Sequence, residues 1–345
     1  MRYGAGPTNV AELIALRLSK VPLPVLDIIL GPLQARVLIA AQREGIFTAL
    51  ADGPADAVEI ARRRTLDAEC TRLVLLVLRS MGYVERVGAR FALSPLGQAH
   101  FGRDVREGSA AFVEYGAPQW DMIEQLDLVL RTGRGIDLHD RTDPGEWAAY
   151  QRAMLEQARS FVWFVAKHTP VPTGARRCLD LGGAHGLVGA ELCRRHPGMR
   201  STVIDRIEAL VESRALARAE GYDGLVEFRA GDLRADCFGE GHDVALVCNV
   251  LHHFSAADNL ALLTRTRRAL RPGGTIALFD IEAAADDAPP DAAAEAFALY
   301  FRITSASTCF PARDLVSWLR EAGFEGVRVV RSLRLPRRML VIGSV

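Results

Sequence analysis

The sequence has few of the features that mark a secreted, metal-bound or nucleic-acid-binding protein. Its six cysteines, at positions 70, 178, 193, 237, 248 and 309, form no CxxC pair and no regular framework. This spacing argues against disulfides and a structural zinc site, and favours reduced thiols in a cytoplasmic protein. Basic charge is not in excess, because 42 Lys and Arg residues balance 42 Asp and Glu residues. A generally basic surface for nucleic acid is therefore not indicated.

Long uninterrupted apolar runs are also missing. The N-terminus lacks a signal-type apolar core, and no apolar run reaches about 18 residues without a charge or a proline, so we expect no membrane span. What is present is a chain of 345 residues, 49% hydrophobic and 24% charged, long enough for two packed units. The even charge balance favours a small neutral partner over nucleic acid.

The segment from Leu23 to Leu50 is strongly apolar and is interrupted by Gly31-Pro32, which should end or kink a helix. One alternative is an internal core helix. The other is a helix between subunits, because apolar surface that one domain cannot cover is a usual origin of homodimers. The pattern leaves both alternatives open.

The pattern over residues 57–93 predicts a winged-helix layout. It consists of a helix over 57–63, a turn at 65–67, a helix over 68–81 and two short strands near 84–86 and 90–93. Such modules often bind DNA, but Asp67 and Glu69 would face the phosphates with the wrong charge. A DNA-binding regulator that uses this winged helix is the alternative of another class.

Residues 105–170 predict a helical connector that contributes to a substrate pocket. From residue 171 to 345 the pattern alternates between strand and helix, which is typical of a parallel sheet covered by helices. Strands are predicted near 177–181, 201–205, 226–230, 244–249, 276–280, 327–330 and 340–342. We therefore predict an α/β fold with a seven-stranded, doubly wound, Rossmann-like domain, preceded over residues 1–104 by a helical, winged-helix-like dimerisation domain.

The first predicted strand of this sheet ends in a glycine-rich turn, Asp180-Leu-Gly-Gly-Ala-His-Gly186, which opens a helix. Gly182, Gly183 and Gly186 allow a close approach of the backbone to a ligand, and the first amides of the helix favour an anionic group such as a carboxylate. The turn does not supply G-x-G-x-x-G, so a cofactor with a pyrophosphate is disfavoured.

Acidic residues follow the next two predicted strands. Asp205, with Arg206 beside it, stands where a carboxylate accepts both ribose hydroxyls in such a fold. Asp232 could accept from an adenine amino group while Leu233 packs on the ring. These residues together predict a cofactor that contains adenosine without phosphates.

These elements, with Asn249-Val-Leu-His-His-Phe254, Leu270-Arg-Pro-Gly-Gly274 and Ala322-Gly-Phe324, resemble the class I methyltransferases that use S-adenosylmethionine. With the winged-helix-like front and Tyr150-Gln-Arg-Ala-Met154, most of the chain resembles the dimeric O-methyltransferases of plant phenolic and bacterial natural-product pathways. The resemblance implies S-adenosylmethionine as cofactor, with Asn249 among its binding residues, a homodimer, and O-methylation of a hydroxylated aromatic secondary metabolite.

In the resembled family, a histidine after the fourth strand removes the proton of the acceptor, and His252 falls at that place. Asp280 matches the acidic residue that steadies this histidine. The second supporting acid of the family is absent, because residues 305–309 offer only hydroxyls and a thiol. That departure keeps open the alternative of C- or N-methylation of another small metabolite, assisted by Glu156 or by positioning alone.

The acceptor pocket is expected to include Met154, which matches a family position that packs against the acceptor, together with Gln157 and Trp120. No metal is expected, because adjacent His252 and His253 diverge too far to share one easily and no histidine follows them. The spacing also predicts a single helical face that forms either core or pocket wall. It carries Tyr150, Met154, Gln157, Phe161 and Phe164.

Overall fold

The computed structural model describes residues 6–7, 9–141, 144–285, 288–305 and 307–345. Contacts within the chain define two compact units, Arg2–Ala117 and Pro118–Val345. The elements of the front unit are α1 (Val10–Arg17), α2 (Leu23–Arg43), α3 (Ile46–Ala51), α4 (Ala57–Arg64), α5 (Ala68–Ser80), β1 (Val84–Val87), β2 (Arg90–Leu93), α6 (Pro95–Phe101) and α7 (Ala110–Ile123), the last of which contains the boundary.

Within the front unit, α4 and α5 are followed by an antiparallel hairpin of β1 and β2, in the order expected from the sequence. Each helix begins at an aspartate: the side chain of Asp56 accepts from the backbone N–H of Glu59, and that of Asp67 accepts from Cys70. Such caps satisfy amides that the helix leaves unpaired. The core beneath them consists of aliphatic and aromatic side chains, among them Phe47, Ile60, Leu75 and Leu78.

Helix α2 does not end at Gly31-Pro32. It runs through these two residues and is 21 residues long in all. Proline there removes one helical hydrogen-bond donor, although the helix persists. Among the described residues, α2 is the one helix whose length and composition would suffice to cross a membrane, a test that core helices and signal sequences also pass. Much of its apolar surface is exposed, with Ile28 at 74%.

The rear unit alternates between helices and strands. Its helices after α7 are α8 (Leu126–Thr132), α9 (Leu138–Arg141), α10 (Pro144–Arg159), α11 (Val162–His168), α12 (Leu187–Arg195), α13 (Ile207–Leu210), α14 (Ser213–Ala219), α15 (Ala256–Ala269), α16 (Ala292–Thr304) and α17 (Ala312–Glu321). Its strands are β3 (Arg177–Leu181), β4 (Arg200–Asp205), β5 (Val226–Ala230), β6 (His242–Cys248), β7 (Leu270–Ile281), β8 (Glu325–Arg331) and β9 (Arg338–Ser344).

The strands form one seven-stranded sheet in the order β5-β4-β3-β6-β7-β9-β8, which contains all seven predicted strands. Pairs from β5 to β7 are parallel, whereas β9 runs antiparallel to both β7 and β8. The central strands read as apolar runs because both faces are covered. The strand order reverses between β3 and β6, and ligands of such sheets bind in the crevice at the carboxyl ends beside that point.

The prediction that one continuous helix carries the face from Tyr150 to Phe164 is wrong. Helix α10 ends at Arg159 and a separate helix, α11, begins at Val162. Phe161 lies between them with φ −125° and ψ −13°, outside helical geometry. Phe161 and Phe164 are both buried in the core, where Phe161 stacks on Phe279 and Phe164 contacts the same ring at a tilt, so these aromatics are core residues.

Candidate active site

A cavity of about 670 Å³ lies at the carboxyl ends of β3, β4, β5 and β6. Its volume falls within the roughly 300–1,000 Å³ typical of sites for small molecules. Six of the predicted cofactor residues line it: Gly182, Asp205, Arg206, Asp232, Leu233 and Asn249. The sheet therefore brings together residues that are far apart in the sequence.

Gly182 forms the turn directly after β3 and lines the cavity. Its φ of +68° lies in the left-handed region, which glycine adopts without strain. A Cβ at this position would lie 2.5 Å from Cγ2 of Val250. The turn can therefore pack against Val250 at the cavity wall only because the residue has no side chain.

Asp205 ends β4 and uses both carboxylate oxygens to hold the backbone. Oδ2 accepts from the N–H of Ala184 at 2.9 Å, and Oδ1 accepts from the N–H of Arg206 at 2.8 Å. Burial raises the pKa of Asp205, and these two hydrogen bonds oppose the shift. The carboxylate thus joins the loops after β3 and β4 at the cavity wall.

Asp180, Gly183 and Gly186 lie behind this wall and do not line the cavity. Asp180 is fully buried, and its Oδ2 accepts from the N–H of Gly189 at 3.2 Å. Burial raises the pKa of Asp180 to about 7. A Cβ on Gly183 would lie 2.5 Å from the Asp180 carboxyl carbon, so this glycine lets the turn fold over the acid.

Leu233 is buried at the cavity wall, whereas Asp232 is exposed and accepts from the backbone N–H of Arg234 at 2.8 Å. Asn249 has a φ of +56°, and its Oδ1 accepts from Nη1 of Arg338 at 2.8 Å. Burial lowers the pKa of Arg338, while the charge of Asp280 opposes that shift. Arg338 was not predicted; it holds Asn249 from β9, which is separated from β6 by β7.

His252 and Asp280 form a buried pair. Nδ1 of His252 lies 2.6 Å from Oδ1 of Asp280, and each side chain is only 4% exposed. Oδ2 of Asp280 accepts from the N–H of Leu251 at 3.1 Å, which fixes the carboxylate. The imidazole also packs against the ring of Phe301, with ring centroids 3.7 Å apart and an interplanar angle of 30°. The cavity lining itself contains the neighbouring His253 rather than His252.

The wall opposite the sheet comes from α9 and α10 and was largely missed by sequence reasoning. His139, Trp147, Tyr150 and Gln151 all line the cavity there. A signal existed, because Trp147, Tyr150, Gln151 and Met154 repeat at i, i+3, i+4 and i+7 on α10. The predicted face began at Tyr150 and so excluded the turn that carries Trp147.

A model of the O-methyltransferase domain matches residues 128–325, more than half of the chain. The chain belongs to this O-methyltransferase family. It is 26% identical over 317 residues to a 3-hydroxy-5-methyl-1-naphthoate 3-O-methyltransferase of Streptomyces sahachiroi, covering 90% of this chain and 91% of that one. The enzyme is an S-adenosylmethionine-dependent methyltransferase.

Two other proteins extend the comparison. This methyltransferase is 26% identical over 258 residues to the N,N-dimethyltransferase OxyT of Streptomyces rimosus, covering 72% of this chain and 75% of that one. Human N-acetylserotonin methyltransferase, solved with its S-adenosylmethionine, superposes with a TM-score of 0.83 at 20% identity and covers 99% of both chains. That likeness shows the shared fold.

The cavity residues of the methyltransferase fit S-adenosylmethionine. Gly182 provides a cradle that a Cβ would fill, Asp205 offers a carboxylate at the position suited to a ribose, and buried Leu233 offers an apolar surface for a ring. Among the described residues, no group of three or more His, Cys, Asp or Glu side chains is placed to hold a metal ion.

The three predicted acceptor residues do not line this cavity. Met154 and Gln157 lie further along α10, where the backbone carbonyl of Met154 faces the buried imidazole of His185. Trp120 lies on α7 and its indole N–H donates to Glu124 at 3.1 Å. Glu156, the alternative base, is also outside the lining. The roles of these residues remain predictions.

Proposed function

We propose that this methyltransferase O-methylates a hydroxylated aromatic small molecule, with His252 as general base. The observation that carries the proposal is the His252–Asp280 pair, in which the carboxylate occupies Nδ1 and leaves Nε2 as the atom that takes a proton. Bound S-adenosylmethionine supplies an electrophilic methyl group on its sulfonium. The cavity residues orient the acceptor for in-line attack, and proximity provides much of the rate.

A histidine base has to remove a proton from a hydroxyl whose ordinary pKa is higher than its own. A phenol titrates near pH 10 and histidine near 6.5, which makes full proton transfer unfavourable by about 5 kcal/mol. Asp280, whose Oδ1 lies 2.6 Å from Nδ1 of His252, orients the imidazole and fixes the tautomer in which Nε2 is the free acceptor. Attack concerted with proton removal offsets the gap in pKa.

His253 is the nearest competitor for this role, since it lines the cavity. Its pKa is lowered far below the ordinary value by burial and by the neighbouring imidazoles His252 and His139. A histidine with such a low pKa is a weak base, and no carboxylate among the described residues orients its Nδ1. We therefore assign His253 to the wall of the cavity and His252 to proton removal.

The experiment that tests the function measures methyl transfer from S-adenosylmethionine to 2-naphthol and 2,3-dihydroxynaphthalene, with products resolved by mass spectrometry. Loss of turnover in His252→Ala with S-adenosylhomocysteine binding intact supports the proposal. A protein that binds S-adenosylhomocysteine but methylates no hydroxyl, in these or a wider set of phenols, would contradict it.

A second candidate is N-methylation. Ser305 lines the cavity, and its hydroxyl donates to the backbone carbonyls of Phe301 and His252 at 2.7 and 3.2 Å, so no second acid supports the histidine there. An aromatic amine needs no prior deprotonation to attack a methyl group. Methylation of 2-aminonaphthalene faster than 2-naphthol would favour this candidate.

For the front unit we propose a winged-helix-like dimerisation domain over residues 1–104, joined by the connector 105–170 to the catalytic domain 171–345, in a cytoplasmic homodimer. Support comes from the exposed apolar side chains of α1 and α2, which include Val10, Val25, Ile28 and Ile29 at 52–74% exposure. Exposed apolar surface of this kind is usual at subunit interfaces.

A further inference from the structure

Three side chains at the inner wall of the cavity carry polar atoms that have no hydrogen-bond partner among the described residues. They are both amide atoms of Gln151, Nε1 of Trp147 and Nδ1 of His253. Gln151 is 0% exposed and Trp147 is 4% exposed, yet both line the cavity. A buried polar group without a partner is energetically costly. Such a cluster therefore indicates a ligand that supplies the missing hydrogen bonds.

One ligand can reach two of these groups together, because Trp147 and Gln151 are one turn apart on the same face of α10. The indole N–H of Trp147 is only a donor, and the amide of Gln151 is both a donor and an acceptor. A hydroxyl next to a second oxygen substituent matches this set. A single isolated hydroxyl would leave at least one buried atom without a partner.

The same wall is aromatic. The ring of His139 lies 4.7 Å from that of His253, at an interplanar angle of 82°, and 5.6 Å from that of Trp147. Edge and face contacts of this kind accommodate a flat aromatic ring. These rings therefore offer a planar acceptor an aromatic surface beside the polar groups.

The charges around the cavity favour a neutral acceptor. The lining cations are engaged in ion pairs: Nε of Arg206 lies 3.6 Å from Oε2 of Glu208, and Nη2 of Arg234 lies 3.8 Å from Oδ2 of Asp137. Burial keeps His253 uncharged at neutral pH by lowering its pKa. An acceptor carboxylate placed against Trp147, Gln151 and His253 would contact uncharged side chains only, which is unfavourable.

We propose that Trp147, Gln151 and His253 select a neutral aromatic acceptor with a second oxygen substituent next to the methylated hydroxyl, and that Gln151 is the specificity-determining residue. The proposal rests on the function proposed above and narrows its substrate class. Gln151 binds the neighbouring oxygen substituent, which leaves the reacting hydroxyl free to lose its proton.

The experiment is isothermal titration of the full-length protein, saturated with S-adenosylhomocysteine, against three matched probes: 2-naphthol, 2,3-dihydroxynaphthalene and 3-hydroxy-2-naphthoate. They share the 2-naphthol skeleton and differ only in the substituent next to the hydroxyl. The wild-type protein should bind the diol at least ~10-fold more tightly than either other probe. The Gln151→Leu side chain has nearly the same shape, and in this variant the affinity for the diol divided by the affinity for 2-naphthol should fall to about one.

Two further measurements keep the result interpretable. Gln151→Leu should bind S-adenosylhomocysteine within twofold of wild type and should resist urea equally or better, because it removes unpaired buried amide atoms. Gln125→Leu, on the N-cap residue of α8, is the control and should retain the wild-type ratio. Equal ratios in wild type and Gln151→Leu, or no binding of any probe by wild type, would overturn the proposal. Failure of the function would instead appear as selective binding without methyl transfer to a hydroxyl.

Discussion

Gly182 and Val250 are packed so closely that a Cβ on Gly182 would lie 2.5 Å from Cγ2 of Val250. Gly182 also has a φ of +68°, so a side chain there meets both strain and collision. Gly174 separates the two effects, because its φ is +73° and nothing lies within 4 Å of its hypothetical Cβ. The pair of alanine variants therefore measures how much of the turn depends on close approach.

We expect Gly174→Ala to lower the free energy of unfolding by about 1–2 kcal/mol with S-adenosylhomocysteine affinity unchanged. Gly182→Ala should be less stable than Gly174→Ala and should weaken S-adenosylhomocysteine binding at least tenfold, because Val250 must move. Urea denaturation and isothermal titration measure the two quantities. Equal effects of both variants would show that collision with Val250 is unimportant.

Asp205→Asn should raise the dissociation constant of S-adenosylhomocysteine by about 10- to 100-fold, because a hydrogen bond to a charged group contributes about 1.5–3 kcal/mol. The asparagine retains one acceptor for the backbone amides of the adjacent loops. Asp223→Asn, at an exposed position in a short 3-10 turn, is the control and should bind as wild type does. Unchanged affinity in Asp205→Asn would exclude a ribose contact.

His252→Ala should lower turnover by ~10²- to 10⁴-fold, as expected for loss of a general base. His253→Ala should change the Michaelis constant of the acceptor more than turnover, since this residue belongs to the wall. Asp280→Asn should also reduce turnover, because the imidazole loses the carboxylate that orients it. The opposite ranking, with His253→Ala the slower enzyme, would transfer the base role to His253.

The pH dependence of stability should report Asp180. Its pKa is raised to about 7 in the folded protein, against about 3.9 in an unfolded chain. The folded state therefore binds the extra proton between these values, so this contribution is full below about pH 4 and is lost as pH rises towards 7. The unfolding free energy of wild type minus that of Asp180→Asn should fall across this window. If this difference in unfolding free energy does not change with pH, burial does not raise the pKa of Asp180.

The proposed dimer can be tested on α2. Ile28→Glu places a charge on a residue that is 74% exposed and should convert the protein to monomer in light scattering without loss of folded structure. Leu333→Glu changes a fully exposed leucine in the rear unit and should leave the oligomeric state unchanged. A wild-type protein that is monomeric at micromolar concentration would refute the interface.

The sequence predicted the sheet and its cofactor edge well because both depend on local patterns. The central strands β3, β6 and β7 contain apolar runs, and Gly182, Asp205 and Asp232 each stand at or just past the end of a strand. Asp280 could be paired with His252 only through the family resemblance, since 28 residues and a helix separate them. The family resemblance identified Asp280 as the partner of His252, and the structure shows that the two side chains lie 2.6 Å apart.

The acceptor wall was less predictable for physical reasons. Gln151 looks in sequence like an ordinary helical residue, and its importance lies in burial without a partner, which no local pattern encodes. Arg338 reaches Asn249 across 89 positions, through the antiparallel pairing of β9 with β7. Met154, by contrast, had a matching motif position but lies outside the cavity lining.

The two hydrogen bonds of Asp205 have a kinetic consequence. Because its carboxylate already holds the N–H groups of Ala184 and Arg206, the loops after β3 and β4 are ordered before any ligand arrives. Little conformational entropy is then left to lose on association, which is the advantage of a preorganised site. Exchange of spent cofactor for fresh cofactor is accordingly expected to resemble rigid docking, with its rate governed by dissociation rather than by loop folding.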